Sequence, residues 1–201
     1  MHKIARLIFL AVSALSLSQC AVGTTKINAV HTPLPASSQP RGTIYVKQFT
    51  DSRQVDNKAT IGNKRNGFGM VLGTLAIKNK EGVSGLMTEA VADALRASGY
   101  KTIIEGQGTT PGNLPVMEGD VYEFWMDLFT TTWHNVGVEL KLRNPSGKLA
   151  WEKKINGTET NVLWLGISEE FTKVMRQSID EAKQETVKEF SSASFSAAAK
   201  Q

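Results

Sequence analysis

Residues 84–98 read SGLMTEAVADALRAS, and GYKTIIE follows at 99–105. Leu86, Met87, Ala90, Val91, Ala94 and Leu95 recur at helical spacing, while Thr88, Glu89, Asp93 and Arg96 take the other face. Ser84 is the expected N-cap and Gly99 the expected stop, because glycine accepts the left-handed conformation that ends a helix. The β-branched run at 100–105 then predicts a strand. Upstream, residues 43–49 (TIYVKQF) alternate in the same way between Gly42 and Asp51 and predict another strand. A strand, a helix and a second strand make a parallel pair with a crossover.

Downstream, residues 114–129, 131–143 and 148–158 show a period of two. Asn144, Pro145, Ser146 and Gly147 supply a tight turn between the last two runs. Tyr122, Phe124, Met126 and Leu128 are expected on one face of the first run. Thr132, His134, Val136, Val138, Leu140 and Leu142 are expected together in the second. These runs predict an antiparallel meander. Residues 168–190 open with Ser168, Glu169 and Glu170 and carry Phe171, Val174, Met175, Ala182 and Phe190 along a stripe, the mark of a long amphipathic helix. The expected fold class is α+β: a mixed sheet of about five strands (strand-helix-strand, then antiparallel meander) with two helices packed on the sheet.

Between the first strand and the helix lies a polar, glycine-containing segment, 50–82, too long for a plain connection and therefore the first place to expect a site. Within it, Lys64, Arg65, Phe68 and Met70 surround an apolar, glycine-rich tip and suggest a partner-binding loop. Asp51 and Arg53 fall on the same side of the chain and suggest an ion pair that orders it. The tip residues 66–73 lack both the Gly-Lys-Ser/Thr ending of a phosphate loop and the dinucleotide glycine spacing.

The N-terminus carries a different signal. Lys3 and Arg6 precede an apolar run from Leu7 to Leu17, a secretory signal pattern too short for a membrane span, which needs about 18 residues. Leu17, Ser18, Gln19 and Cys20 close it, with Gln19 where a small residue is the rule. This resembles the lipobox of bacterial lipoproteins and implies acylation of Cys20, the only cysteine among 201 residues. Ala21 stands where an aspartate would favour inner-membrane retention, so the resemblance implies an outer-membrane anchor on the periplasmic face. The domain plan expected is signal peptide 1–19, lipidated N-terminus and flexible linker 20–42, one domain 43–190 and a fraying tail 191–201.

The formal net charge of +4 loses Lys3 and Arg6 with the signal, so 23 basic residues become 21 against 19 acidic ones. The remaining charge is dispersed, and nucleic acid is not an expected partner. Catalytic signals are sparse. His31 lies in the linker, His134 reads as a paired or half-exposed sheet histidine, and no metal spacing or nucleophile elbow occurs. Glu118 with Asp120, and Glu123 with Asp127, share strand faces at even spacing, which fits a solvated face better than a hydrolase site. Trp125, Trp133, Trp151 and Trp164 lie in or beside the meander. The Asn156-Gly157-Thr158 sequon is incidental behind a bacterial signal.

Phe49, Thr50, Asp51, Ser52 and Arg53 at the first strand's end, the Gly62 region, and the helix-ending Ser98, Gly99, Tyr100, set behind a lipobox, resemble the YajG-type bacterial outer-membrane lipoproteins. The resemblance covers about residues 43–190 and implies an α+β periplasmic domain, with little chemistry to carry over. The function expected is a non-enzymatic, cofactor-free envelope binding or accessory protein, anchored by lipid and contacting another envelope protein or a glycan. The alternatives are a subunit of an envelope transport or secretion complex, or a periplasmic hydrolase using Glu118 and Asp120.

Overall fold

The computed structural model describes residues 22–106, 110–129, 131–162 and 168–201. The signal segment and Cys20 lie outside them, as does Trp164. Among the described residues nine strands form one mixed sheet: β1 Gly23–Ile27, β2 Gly42–Val46, β3 Thr50–Asp51, β4 Thr60–Arg65, β5 Val71–Ile77, β6 Tyr100–Ile104, β7 Val116–Leu128, β8 Thr132–Arg143 and β9 Leu149–Asn161. Among the described residues three helices accompany it: α1 Gly82–Ala97, α2 Ser168–Ser191 and α3 Ala193–Ala198.

The central expectation holds. β2 and β6 are parallel neighbours joined through α1, and β7, β8 and β9 form an antiparallel meander. α1 ends as expected, with Gly99 at φ +95°, but it starts at Gly82 rather than at Ser84, and no side chain caps it. Its apolar stripe is buried. Thr88 and Asp93, expected on the polar face, are buried too, because Thr88 accepts the Phe49 N–H at 3.0 Å and donates to Ser84 O at 2.8 Å.

The sheet exceeds about five strands because two segments placed in the linker and the long loop join it. Residues 50–82 supply β3, β4 and β5, with Ile61, Leu75 and Ile77 buried in the core. Residues 23–27 supply β1, parallel to β5. The segment between β1 and β2, expected as a flexible linker, is hydrogen-bonded along its length. Ala29 exchanges two bonds with the Asn79 side chain, Leu34 N donates to Asp93 at 2.8 Å, and Ser37 and Arg41 donate to the end of α1. This strap runs over the α1–α2 side of the domain. The tail expected to fray forms α3, whose Ser192 accepts from Phe195 N at 3.2 Å. Phe195 is buried among Tyr100, Trp151 and Phe190.

β7 carries a bulge between Val121 and Glu123. A bulge inserts one residue and switches the facing of the strand beyond it. Phe124 and Met126 therefore face the core as expected, while Tyr122 turns outward to donate to Asn156. The helices cover the inner face of the meander. Its outer face is left to charged residues.

Candidate functional site

The 50–82 segment is a built hairpin rather than a loop. At its tip, Asn66 Oδ1 accepts from Phe68 N and Met70 N, both at 3.0 Å, while Gly69 N donates to Asn66 O at 2.9 Å. Gly69 has φ +82°, a conformation that suits glycine. An asparagine side chain that mimics backbone in this way fixes a tight turn, so the apolar side chains beyond it are held outward by the turn's own bonding. Phe68 is 91% exposed and Met70 59%.

The four residues grouped as a binding loop therefore divide. Phe68 and Met70 face solvent. Lys64 is buried, with Nζ 2.9 Å from Thr25 Oγ1 on β1, and Arg65 makes a two-pronged bond to Asp127 of β7 at 2.8 and 3.0 Å while donating to Gly69 O. These two cations hold the hairpin to the sheet.

Asp51 and Arg53 do pair. Arg53 Nε and Nη2 reach the Asp51 carboxylate at 2.9 and 2.7 Å. The same guanidinium donates to Lys58 O, Thr60 O and Phe124 O, using the planar fork that only arginine supplies. It is 3% exposed, and it ties β3, the start of β4 and β7 together. Burial pushes the Asp51 carboxyl up, but the bonds and charge of Arg53 outweigh that and leave it below the usual range.

On the outer face, Glu118 bonds Lys47 and Arg143, both at 2.7 Å, and Asp120 accepts from Thr50 at 2.6 Å and Ser52 at 2.5 Å. Lys47, Thr50, Glu118, Asp120, Lys141 and Arg143 line a shallow depression of about 340 Å³. Glu118 and Asp120 do lie side by side. Burial alone would raise the Glu118 carboxyl, yet its two cation partners hold it below the usual range, the opposite of what a general acid needs.

His134, expected as a paired or half-exposed sheet histidine, is fully buried. Burial first and the Arg53 charge second lower its pKa to about 3. Ser178 Oγ donates to Met175 O, so His134 Nδ1–H is the donor to Ser178 and Nε2 is left without a partner. A neutral imidazole wedged edge-on against Phe124 is a packing group. Trp151 is partly buried and packs against the core through Phe190 and Phe195, while Trp133 is 37% exposed. Among the described residues no group of three His, Cys, Asp or Glu is placed to hold a metal, and no helix is long and apolar enough to cross a membrane.

Sequence reasoning missed a second polar centre. Lys183 of α2 donates to Asp93 of α1, to His31 Nδ1 and to Thr32 O of the strap, and Asp180 accepts from Thr32. Lys183 sits within a run of charged residues that reads as a solvated face, and only the strap's position reveals it as interior.

No family model matches the chain, and no curated protein resembles it in sequence. Solved structures share its architecture. A Xanthomonas campestris protein of the DUF330 family superposes with a TM-score of 0.54 at 12% identity, over 87% of this chain and 96% of that one. An uncharacterized protein matches with a TM-score of 0.53 at 11% identity, over 81% and 99%. A minor lipoprotein from Acinetobacter baumannii matches with a TM-score of 0.44 at 10% identity, over 78% and 93%. At these identities the likeness to the first two is one of fold. The chain has the α+β architecture of the DUF330 protein.

Proposed function

We propose that the chain is a lipid-anchored, periplasm-facing outer-membrane lipoprotein of YajG type that binds another envelope component, protein or glycan, without catalysing a reaction. The observation that carries this is the lipobox: the only cysteine of the chain closes a short cationic and apolar signal. Two or more acyl chains hold a protein stably at a membrane, where one does not, and tethering raises the local concentration of the domain for a partner in the same compartment. The outer face of the meander, where Lys47, Glu118, Asp120 and Arg143 form a mixed-charge depression, is the surface for that partner. Its carboxylates are already paired, which supports recognition over acid catalysis.

Fractionation of cells expressing the wild-type chain and Cys20→Ser tests the anchor. Wild type is expected in the outer-membrane fraction, and the variant released from it with altered electrophoretic mobility. A variant that stays in the membrane with unchanged mobility would refute lipidation. Cross-linking in intact cells, with Glu118→Lys and Arg143→Glu as comparators, tests the partner surface: a stoichiometric product lost in both variants is expected.

A further inference from the structure

The exposed large apolar side chains of the described residues gather at one end of the sheet; only Leu149, at the start of β9, lies elsewhere. The strand register shows why they meet. β4 and β7 are parallel with Lys64 opposite Leu128, so the β4–β5 tip bearing Phe68 and Met70 stands beside the β7–β8 turn bearing Phe129. Val71 opens β5 opposite Arg65, and Trp133 lies opposite Asp127, the partner of Arg65. β9 ends here too, with Asn161 opposite Thr132 and Val162 beyond it. Five of these side chains are 40% or more exposed, and Phe68 is 91% exposed. The turn bonding of Asn66 holds the tip open, so this apolar rim is not a failure to pack. Contiguous exposed apolar surface of this kind marks a docking site.

The path of the chain identifies what it docks on. β1 begins at the same end, with Gly23 opposite Gly73, and Val22 before it is exposed. Cys20 precedes Val22 by two residues, a reach of at most about 10 Å from the start of β1. Acyl chains on that thiol would therefore enter a bilayer at the rim itself. We infer that the rim is a membrane-docking surface, in which Phe68, Met70, Val71, Phe129 and Trp133 seat in the interfacial layer of the bilayer that takes the acyl chains of Cys20. This rests on the lipid-anchor reading above.

Charge agrees with the assignment. Arg65 and Asp127, the ionised pair nearest the tip, neutralise each other, and tryptophan is enriched at membrane interfaces. Docking by this end stands the strands away from the membrane, and the outer face of the meander stays open to a soluble partner. Because β1 starts so close to Cys20, the domain sits on the bilayer rather than on a long tether.

The test uses the full chain, expressed and processed in a Gram-negative host and reconstituted into vesicles of phosphatidylethanolamine and phosphatidylglycerol. Phe68→Cys at the rim and Ser146→Cys in the β8–β9 turn each receive an environment-sensitive fluorophore, and mass spectrometry of the N-terminal peptide reports on Cys20. Both substituted positions are exposed, so the variants retain the fold. The expected result is a blue-shifted probe at position 68, quenched by brominated lipid and protected several-fold from aqueous iodide relative to position 146. An acylated chain whose two probes are equally open to iodide would overturn the docking and leave the anchor standing. Protection at position 68 that persists when vesicles are omitted would overturn it in favour of a protein partner or second copy. An unmodified Cys20 would overturn the anchor and, with it, the docking.

Discussion

Lys183 of α2 donates to Asp93 of α1 at 3.1 Å, with both side chains buried, and the same carboxylate accepts the Leu34 N–H of the strap at 2.8 Å. One ion pair thus joins two helices and the segment that leads from β1 to β2. Removing one member of a buried pair leaves the other uncompensated, at a cost of about 3–5 kcal/mol. Asp93→Ala is expected to lose that much in urea denaturation and to loosen the strap, seen as faster amide exchange at Leu34. Asp93→Leu combined with Lys183→Met is expected to recover most of it, since an apolar pair removes both charges together. Glu89→Ala, at the more exposed position on the same helix, should change stability by less than about 0.5 kcal/mol.

Arg53 is the corresponding fastener for the β3–β4 region. Arg53→Lys keeps the charge but cannot reproduce the fork that serves Asp51 and three carbonyls. It is expected to cost about 2 kcal/mol, and Arg53→Met about 3 kcal/mol, because Asp51 then keeps only the longer pair with Lys58 at 3.7 Å and three carbonyls lose their donor. Equilibrium denaturation monitored by tryptophan fluorescence checks both. Asp51 is held below the usual carboxylate range, so its share of the stability is present above the unfolded pKa and is lost as pH falls through the folded value.

Histidine burial makes the domain acid-sensitive. The His134 pKa is lowered from 6.5 to about 3, so between these values the unfolded chain binds a proton that the folded one does not. Stability therefore falls with falling pH across that window, by up to about 1.4 kcal/mol per unit from this residue. His31, lowered by burial and then by the Lys183 charge, adds in the same direction. Thermal melts of His134→Leu are expected to show a shallower loss between about pH 6.5 and pH 5 than wild type. An equal slope in both proteins would assign the acid sensitivity elsewhere.

Gly157 marks a close approach of α2 to β9. A Cβ there would lie 2.2 Å from Ser178 O and 2.8 Å from Ala182 N, and backbone atoms of a packed helix do not yield as a flexible side chain does. Gly157→Ala is expected to cost about 2–3 kcal/mol through overpacking. Gly67→Ala at the hairpin tip, with nothing within 4 Å, should be close to neutral. Paired urea titrations distinguish the two.

Local pattern by itself determined the elements whose signal is carried by one stretch of chain. The stripe from Leu86 to Leu95, the Gly99 stop, the alternation of β8 and the turn at Asn144 to Gly147 each state their geometry within a few residues, and the signal with Cys20 is read without any fold at all. Tertiary structure decided the rest. β4 (TIGNKR) is short of apolar side chains, and β4 and β5 are each interrupted by a glycine, Gly62 and Gly73, where a Cβ would meet Met126 O and Gly23 O at 2.1 Å, so they read as loop until their neighbours in the sheet are known. Lys64, Asp93 and Lys183 read as surface because a charged residue shows its burial only through partners distant in sequence. The division among Lys64, Arg65, Phe68 and Met70 has the same origin. Sequence places a cation and an apolar residue in one loop, but only strand pairing sends the cations into the sheet and leaves the apolar side chains at the end where the chain leads back to Cys20.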